Sequence, residues 1–537
     1  MGTHIHSACP AVVAVMIEKA SAVENMEAML RVIGVDMVQF RPADYSTSIG
    51  LAGQWSHPPS RRGRASRHQD RPAHGLGHEH PLRLVQGRRP DFARSAGRGL
   101  ARRGAAFMAR RPARAVLLVP LLLLALTAGG CGERAGSGAL VTLVFKHAKI
   151  LGPADPLPGL LRRFEARHPG VRVQSEALTW SSDEQHQFYV INLEGGSPPF
   201  DVMMLDLIWV PEFARAGWIL DLTPFVPAAE RDAHFPTAIE PAVQGGRLWA
   251  LPWFMNVGLL YYRRDLLAKY GFTPPETYEA LAAQVRRIRA GEGDPRLDGY
   301  LWQGKQYEGG MVNVLEALWA NGARLLDDVG RPFPERERAR ESLAFLRGLI
   351  ESGVSPAWVT AADEELTRRP FGDGRAIFLR NWPYALDLFE LPDSRVRGKV
   401  GVAPLPRLRH GPVGAASTGG AHLAVSARTR HRTLAVDLTC FLTSEAAQRA
   451  MTEGAALRPS RPSLYQDAAL VARDPSLPAL LGLMEKGRPR PITPYYLMLS
   501  TTLQPEFSAV LVGRKSPDQA IRDGTAQVEH LLRAITP

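Results

Sequence analysis

From residue 139 onward, apolar and polar positions follow two periods in turn. ALVTLVFKH (139–147) is a near-continuous apolar run of strand length. VRVQSEAL (171–178) alternates, and FDVMMLD (200–206) is again a buried-strand run. Between them, LPGLLRRFEARHPG (157–170) sets Leu157, Leu160, Leu161 and Phe164 at helical spacing and stops at Gly170; DEQHQFYVINLEGG (183–196) closes on a glycine pair. Strand, helix, strand, helix, strand at these intervals predicts a parallel α/β architecture.

The pattern continues with a strand over LWALPWF (248–254), the run VGLLYYRRDLLAKYG (257–271), and helices over 276–290, 311–320 and 337–352. RAIFLRNWPYA (375–385) is a strand leading to a turn, and KVGVAPLPRL (399–408) a strand running into a Pro-rich bend. AHLAVS (421–426) is a strand, 432–444 a helix, and 476–485 and 516–535 are helical. No repeat interrupts this order. A single core rarely grows beyond about 250–300 residues, so two lobes are expected, with PLPRL and the residues around PWFMN as crossovers. A ligand then belongs in the cleft, at the carboxyl ends of the strands.

Residues 1–107 show neither period. They hold 15 Lys and Arg against 8 Asp and Glu, together with seven of the 15 His. Such a stretch buries too little surface to offset its ordering entropy and is expected to be disordered. Residues 9–40 are the exception, with the pattern of a short apolar helix. HGLGHEH (74–80) has metal-binding residue types, but nothing around it builds a rigid site, so it reads as a solvated His-rich coil. With Met108 taken as the start, MARRPARAVLLVPLLLLALTAGGC has a basic, then apolar, then small-residue order, that of an export signal over 108–130. The expectation is therefore that 1–107 is an upstream extension from a mis-called start. The apolar run from Ala115 to Gly130 is shorter than the roughly 20 residues of a spanning helix.

Charge changes the picture. The chain carries +12, but residues 131–537 hold 47 cationic against 45 anionic side chains. The basic character lies outside the patterned part, so no nucleic-acid partner is expected there. Of three cysteines, Cys9 lies in the extension, Cys131 ends the signal and Cys440 sits on an apolar helical face as a buried small hydrophobe. No disulfide framework, metal site or cofactor is implied. GERAGSG after Cys131 reads as a flexible tether over 131–138.

Several blocks, in this order, carry a resemblance: WSSDEQHQFYV, FDVMMLDLIWVPEFARAGWILDLT, LWALPWFMNVGLLYYRRDLLAKYG, LWQGKQYEGGMVNVLEALWANGA, AIFLRNWPYA, STGGAHLAVS and LRPSRPSLYQD. Together they resemble the extracellular solute-binding proteins of ABC sugar importers, family 1, with the trehalose- and maltose-binding branch nearest. Cys131 after Ala-Gly-Gly resembles a lipoprotein lipidation box, departing at Ala128 where Leu is commoner; a plain signal peptide is the alternative. The resemblance implies a two-lobed periplasmic-binding fold of the type II kind, closing by a hinge. It implies an N-terminal lobe of 139–250 plus 404–446 and a C-terminal lobe of 256–400 plus 450–537. It implies an exported monomer, anchored to a membrane by lipid, that hands a sugar to permease subunits.

A sugar offers hydroxyls, which need carboxylates, amides and guanidinium groups, and C–H faces, which need flat rings. On pattern alone Asp206 is a loop acid or helix cap at the end of FDVMML; the resemblance makes it a hydroxyl acceptor. Trp253 is a stacking ring or interlobe packing, and Asn256 is an amide between apolar runs that needs partners. Trp302 is a stacking ring. Glu308 is a second hydroxyl-binding acid or a charge favouring its helix N-terminus. Trp382 stands in a turn before Pro383 as a stacking ring. Arg461 is a hydrogen-bond fork or a surface arginine. Gly419 and Gly420 let backbone approach the ligand. Two rivals stay open: a secreted glycosidase using Asp206 and Glu308 as its carboxylate pair, and a sensory or adhesive lipoprotein. The chain holds no G-x-S-x-G, H-E-x-x-H or G-x-x-x-x-G-K-[ST] motif.

Overall fold

The computed structural model describes residues 14–17, 37–40, 140–150, 154–179, 181–196, 200–455 and 457–535. The expected export signal, Cys131, the tether and the 74–80 His-rich segment lie outside the described residues, as does most of the upstream extension. Two short strands are described there, β1 (Ala14–Ile17) and β2 (Met37–Phe40), paired in parallel. At both places strand replaces the helix expected over 9–40. Val15, Ile17 and Val38 are β-branched and suit a pleated backbone.

The patterned part supplies β3 (Val141–Ala148), β4 (Val171–Leu178), β5 (Val202–Asp206), a two-residue hairpin of β6 (Val243–Gln244) and β7 (Arg247–Leu248), β8 (Leu251–Val257), β9 (Leu259–Arg263), β10 (Asp298–Leu301), β11 (Ala376–Asn381), β12 (Val400–Ala403) and β13 (Thr418–Val425). The first lobe is built on a five-stranded sheet ordered β4-β3-β5-β13-β8, and the second on a four-stranded sheet ordered β10-β11-β9-β12. In the first, β3 runs parallel to β4 and β5, whereas β13 returns late in the chain and pairs antiparallel to both β5 and β8. This is the expected two-lobed α/β fold, but both sheets are mixed and not parallel, since β9 also pairs antiparallel to β11 and β12.

The sequence stops where local chemistry says it should. Thr277 accepts a hydrogen bond from the Ala280 N–H at 3.1 Å and caps the helix Tyr278–Glu292, which ends on Gly293 at φ 64°. The run 257–271 splits: Gly258 separates β8 from β9, and a helix, Arg264–Lys269, follows. The helix Tyr496–Leu511 was not legible, because it buries Ser500, Gln504 and Glu506 beside its leucines and carries Pro505. Those buried polar residues break the apolar stripe.

Two cores result. Leu143, Phe145, Phe164, Val202, Leu423 and Leu438 fill the first. Leu281, Val285, Leu315, Leu343, Phe378 and Leu503 belong to the second. Each such side chain contributes about 1.5–3 kcal/mol by leaving water. Met451, Ala455 and Leu457 pack in the first core, not the second. The segment expected to open the second lobe at 450 therefore belongs with the first. Cys440 is half-buried against the first core, and burial pushes its thiol up to about 11.

Among the imidazoles that the first lobe buries are His422 and His234. His422 of β13 donates through Nε2 to the Ala238 carbonyl at 2.7 Å, and His234 shares a hydrogen bond with Ser460 Oγ at 2.8 Å. The other ring nitrogen of each has no partner. Burial pushes His422 down to about 4 and His234 to about 3, with Arg461 adding to the second. The folded state thus favours the neutral rings. Their contribution is complete above the unfolded value near 6.5 and is lost as pH falls through about 4. Melting temperature is accordingly expected to fall between pH 6.5 and 4, and a His422→Gln chain to show a shallower fall over that window by calorimetry.

Candidate functional site

The sheet register of the first lobe sets one wall of a cavity. Asp206, the last residue of β5, lies opposite Ala421 of β13, and Gly419 lies opposite Asn256 of β8. Along β8 side chains alternate, so Phe254 and Asn256 face the cavity while Trp253 and Met255 face away. The second lobe supplies the opposite wall, through Tyr307 and Glu308 at the start of the helix Glu308–Ala320, Glu364 at the start of the helix Glu364–Gly372, and Trp382 and Tyr384 after β11. The cavity holds about 290 Å³.

Six of the expected residues meet there: Asp206, Asn256, Glu308, Trp382, Gly419 and Gly420. Three do not. Trp253 is buried in the first core with its ring centroid 5.8 Å from that of Phe145. Trp302 is buried in the second lobe, where its indole N–H donates to Ser355 Oγ at 3.0 Å. Arg461 is buried, donates to the Thr443 carbonyl at 3.1 Å and pairs with Glu230. Gly420 has a different reason from the one expected. Its φ is 125°, and a Cβ there would lie 2.3 Å from the Phe254 carbonyl oxygen, so glycine serves strand contact. Gly419 makes room for a ring instead, since a Cβ there would lie 3.2 Å from the Trp382 indole.

Arg490 is the residue that pattern reading missed. It is 3% exposed and lies between the two acids. One guanidinium nitrogen donates to Asp206 Oδ1 at 2.6 Å and another to Glu308 Oε1 at 2.8 Å. Glu308 also accepts from Tyr496 OH at 2.8 Å and Ser500 Oγ at 2.5 Å. Burial pushes the Glu308 carboxyl up, and Arg490 works against that rise. Burial opposes the charge on Arg490, but Asp206 and Glu308 outweigh it and hold the guanidinium well above its ordinary range.

Glu364 organises the aromatic side. Its carboxylate accepts from Tyr307 OH at 2.7 Å and from the Trp382 indole N–H at 3.2 Å. Tyr384 OH donates to Glu365 at 3.0 Å. Burial, then these carboxylates, push both phenols well above the usual tyrosine range, so both stay donors. Counting charges, Asp206, Glu308, Asp363, Glu364 and Glu365 face Lys305 and Arg490 around the cavity. The excess is acidic, which suits hydroxyl donors and opposes anions. Among the described residues no cluster of three or more His, Cys, Asp or Glu could hold a metal ion, and no helix is long and apolar enough to cross a membrane.

Comparison with known proteins agrees with this geometry. Residues 152–449 match the bacterial extracellular solute-binding protein family. A Deinococcus radiodurans protein named "Probable ABC transporter-binding protein" is 33% identical over 375 residues, covering 68% of this chain and 88% of that one. The mannitol-binding protein of Pseudomonas aeruginosa is 25% identical, covering 67% and 86%. Among solved structures, maltose-bound MalE3 of T. maritima superposes with a TM-score of 0.68 at 34% identity, covering 73% of this chain and 100% of that one.

Because Arg490 stands between two acids, its loss leaves a buried carboxylate without its counter-charge. Arg490→Met is expected to lower unfolding free energy by about 3 kcal/mol or more, measured by urea denaturation. A loss under about 1 kcal/mol, the scale of an exposed pair, would contradict the buried geometry.

Proposed function

Since the chain belongs to the bacterial extracellular solute-binding protein family, we propose that it captures a maltose- or trehalose-like disaccharide between its lobes and delivers it to the permease of an ABC importer. The observation that carries this is the composition of the cavity wall. Rings from the second lobe, Trp382, Tyr307 and Tyr384, meet polar tips from both lobes, Asp206, Asn256 and Glu308. That pairing serves both surfaces of a pyranose. The volume of about 290 Å³ sits at the lower edge of the ~300–1,000 Å³ typical of small-molecule sites, which favours a short saccharide over a long chain. The name of the T. maritima neighbour points the same way, and that of the Pseudomonas relative extends the class to polyols.

Micromolar affinity is about −8 kcal/mol, and each net hydrogen bond contributes roughly 0.5–1.5 kcal/mol. Four or five such bonds and a stacked ring reach that value only when the cleft excludes water. Closure of the lobes on the sugar is therefore part of the mechanism, and the closed, loaded form is what the permease recognises. The family is extracellular, so the chain is exported. In this reading the protein is a monomer, anchored through lipid on Cys131.

The relatives and solved neighbours are binding proteins, and this chain is not an enzyme. The chemistry of the two acids agrees. Asp206 and Glu308 are bonded to one guanidinium and in this reading act as hydrogen-bond acceptors.

Asp206→Ala and Trp382→Ala are each expected to weaken maltose or trehalose binding at least about tenfold in titration calorimetry, with the sugar recovered intact. Native affinity in both variants would remove the sugar from this cavity.

A further inference from the structure

Two of the chain's passages between the lobes are where β8 passes into β9 through Gly258 and where the chain returns through Ser417 to β13. These two crossings are stitched together: the Gly258 N–H donates to the Ser417 carbonyl at 3.1 Å. The Ser417 N–H in turn donates to Glu316 Oε1 at 3.0 Å. Glu316 projects from the second-lobe helix 308–320 and is fully engaged by Arg380. The Arg380 Nε donates to Oε2 at 2.9 Å and Nη2 to Oε1 at 2.6 Å. Both side chains are buried. Gly258 is glycine because this pair lies against it; a Cβ there would come within 2.2 Å of Glu316 Oε1 and 2.8 Å of Arg380 Nη2.

The other end of the chain of contacts is in the cavity. Arg380 and Trp382 are two residues apart at the end of β11, and the guanidinium carbon lies 4.0 Å from the Trp382 ring centroid. The guanidinium therefore backs the ring. Ring, guanidinium, carboxylate and crossing backbone form one unbroken series of direct contacts.

We propose that Arg380 and Glu316 are positioning residues that couple occupancy of the Trp382 ring to the angle between the lobes at Gly258 and Ser417. The proposal rests on the reading of Trp382 as a sugar-stacking ring. A sugar pressing on the ring biases the plane of the guanidinium, and the bidentate pair carries that bias to the Ser417 N–H. Conversely, closure at the crossings fixes the ring in the orientation that stacks. Packing alone would hold the fold together but would leave ligand affinity and closure indifferent to this pair.

The test uses the full chain, with maltose and trehalose as probes, and measures affinity by calorimetry and compaction by small-angle scattering. Glu316→Gln keeps the volume and removes the charge. It is expected to weaken binding about tenfold and to abolish the sugar-induced compaction. In a Trp382→Ala background the same change is expected to alter affinity less than about twofold, because the series is already cut. Two results overturn the proposal. One is that the two fold-changes multiply independently. The other is that Glu316→Gln lowers melting temperature while keeping native affinity and compaction. Should circular dichroism find Glu316→Gln unfolded, Gly258→Ala, which keeps both charges and displaces the pair, goes through the same cycle with the same criteria. If neither disaccharide binds the native chain, the sugar reading fails first and this proposal falls with it.

Discussion

Arg380 is 1% exposed, and Glu316 meets its buried charge bidentately. Burial alone would drive a guanidinium toward neutrality; the Glu316 charge and hydrogen bonds outweigh it. A buried pair of this kind is weak ground for stability, since the cost of leaving water consumes most of the attraction. What it supplies is position. The carboxylate satisfies Arg380 and the Ser417 N–H together, which ties the helix 308–320 to the interlobe crossing. Glu308 begins that helix, so the same constraint sets where the second lobe presents its buried acid to the cavity.

The order of strands follows from the same crossing. β13 enters the first sheet between β5 and β8, long after either in sequence, and it runs antiparallel to both. Its first residues, Thr418 to Ala421, therefore lie beside Asp206 on one side and Asn256 on the other. The cavity floor is thus assembled from three segments remote in the chain and adjacent in the sheet.

Much of this was legible in the sequence because it depends on local periodicity. The α/β class and the first strands and helices follow from apolar spacing, and the two lobes from the length of the patterned part. The acid at the end of FDVMML and the aromatic of RNWPY mark strand ends, where clefts form. The remainder depends on which face a side chain takes and on contacts that local spacing does not encode. Trp253 and Asn256 are three residues apart on one strand and fall on opposite faces. Residue type alone marked both as ligand groups, and strict alternation would have separated them. Trp302 and Arg461 have chemistry suited to sugars, yet that same chemistry satisfies Ser355 in one case and Glu230 in the other. Arg490 lies 284 residues from Asp206 and 182 from Glu308, and no local period reports a pair at that range. Glu364 carried a weak signal: the Asp363-Glu364-Glu365 run begins a helix, with Asp363 as its cap.

The ion pairs around the cavity bear on how an uncharged polar ligand gains affinity there. A bare carboxylate must shed its water before it can accept a hydroxyl, and that loss offsets most of the new bond. At this site the loss is already incurred in folding. Arg490 has replaced water on Asp206 and Glu308, and ring donors have replaced it on Glu364. Each carboxylate keeps unused lone-pair directions, since an ionised carboxylate accepts about four hydrogen bonds. A hydroxyl that takes one of those directions adds a bond to a charge already held in place, with little further ordering of protein groups. An anion would meet the acidic excess instead, with Arg490 already committed on both sides. On the proposed reading the arrangement selects for hydrogen-bond donors without charge, through the same buried pairs that link the two lobes.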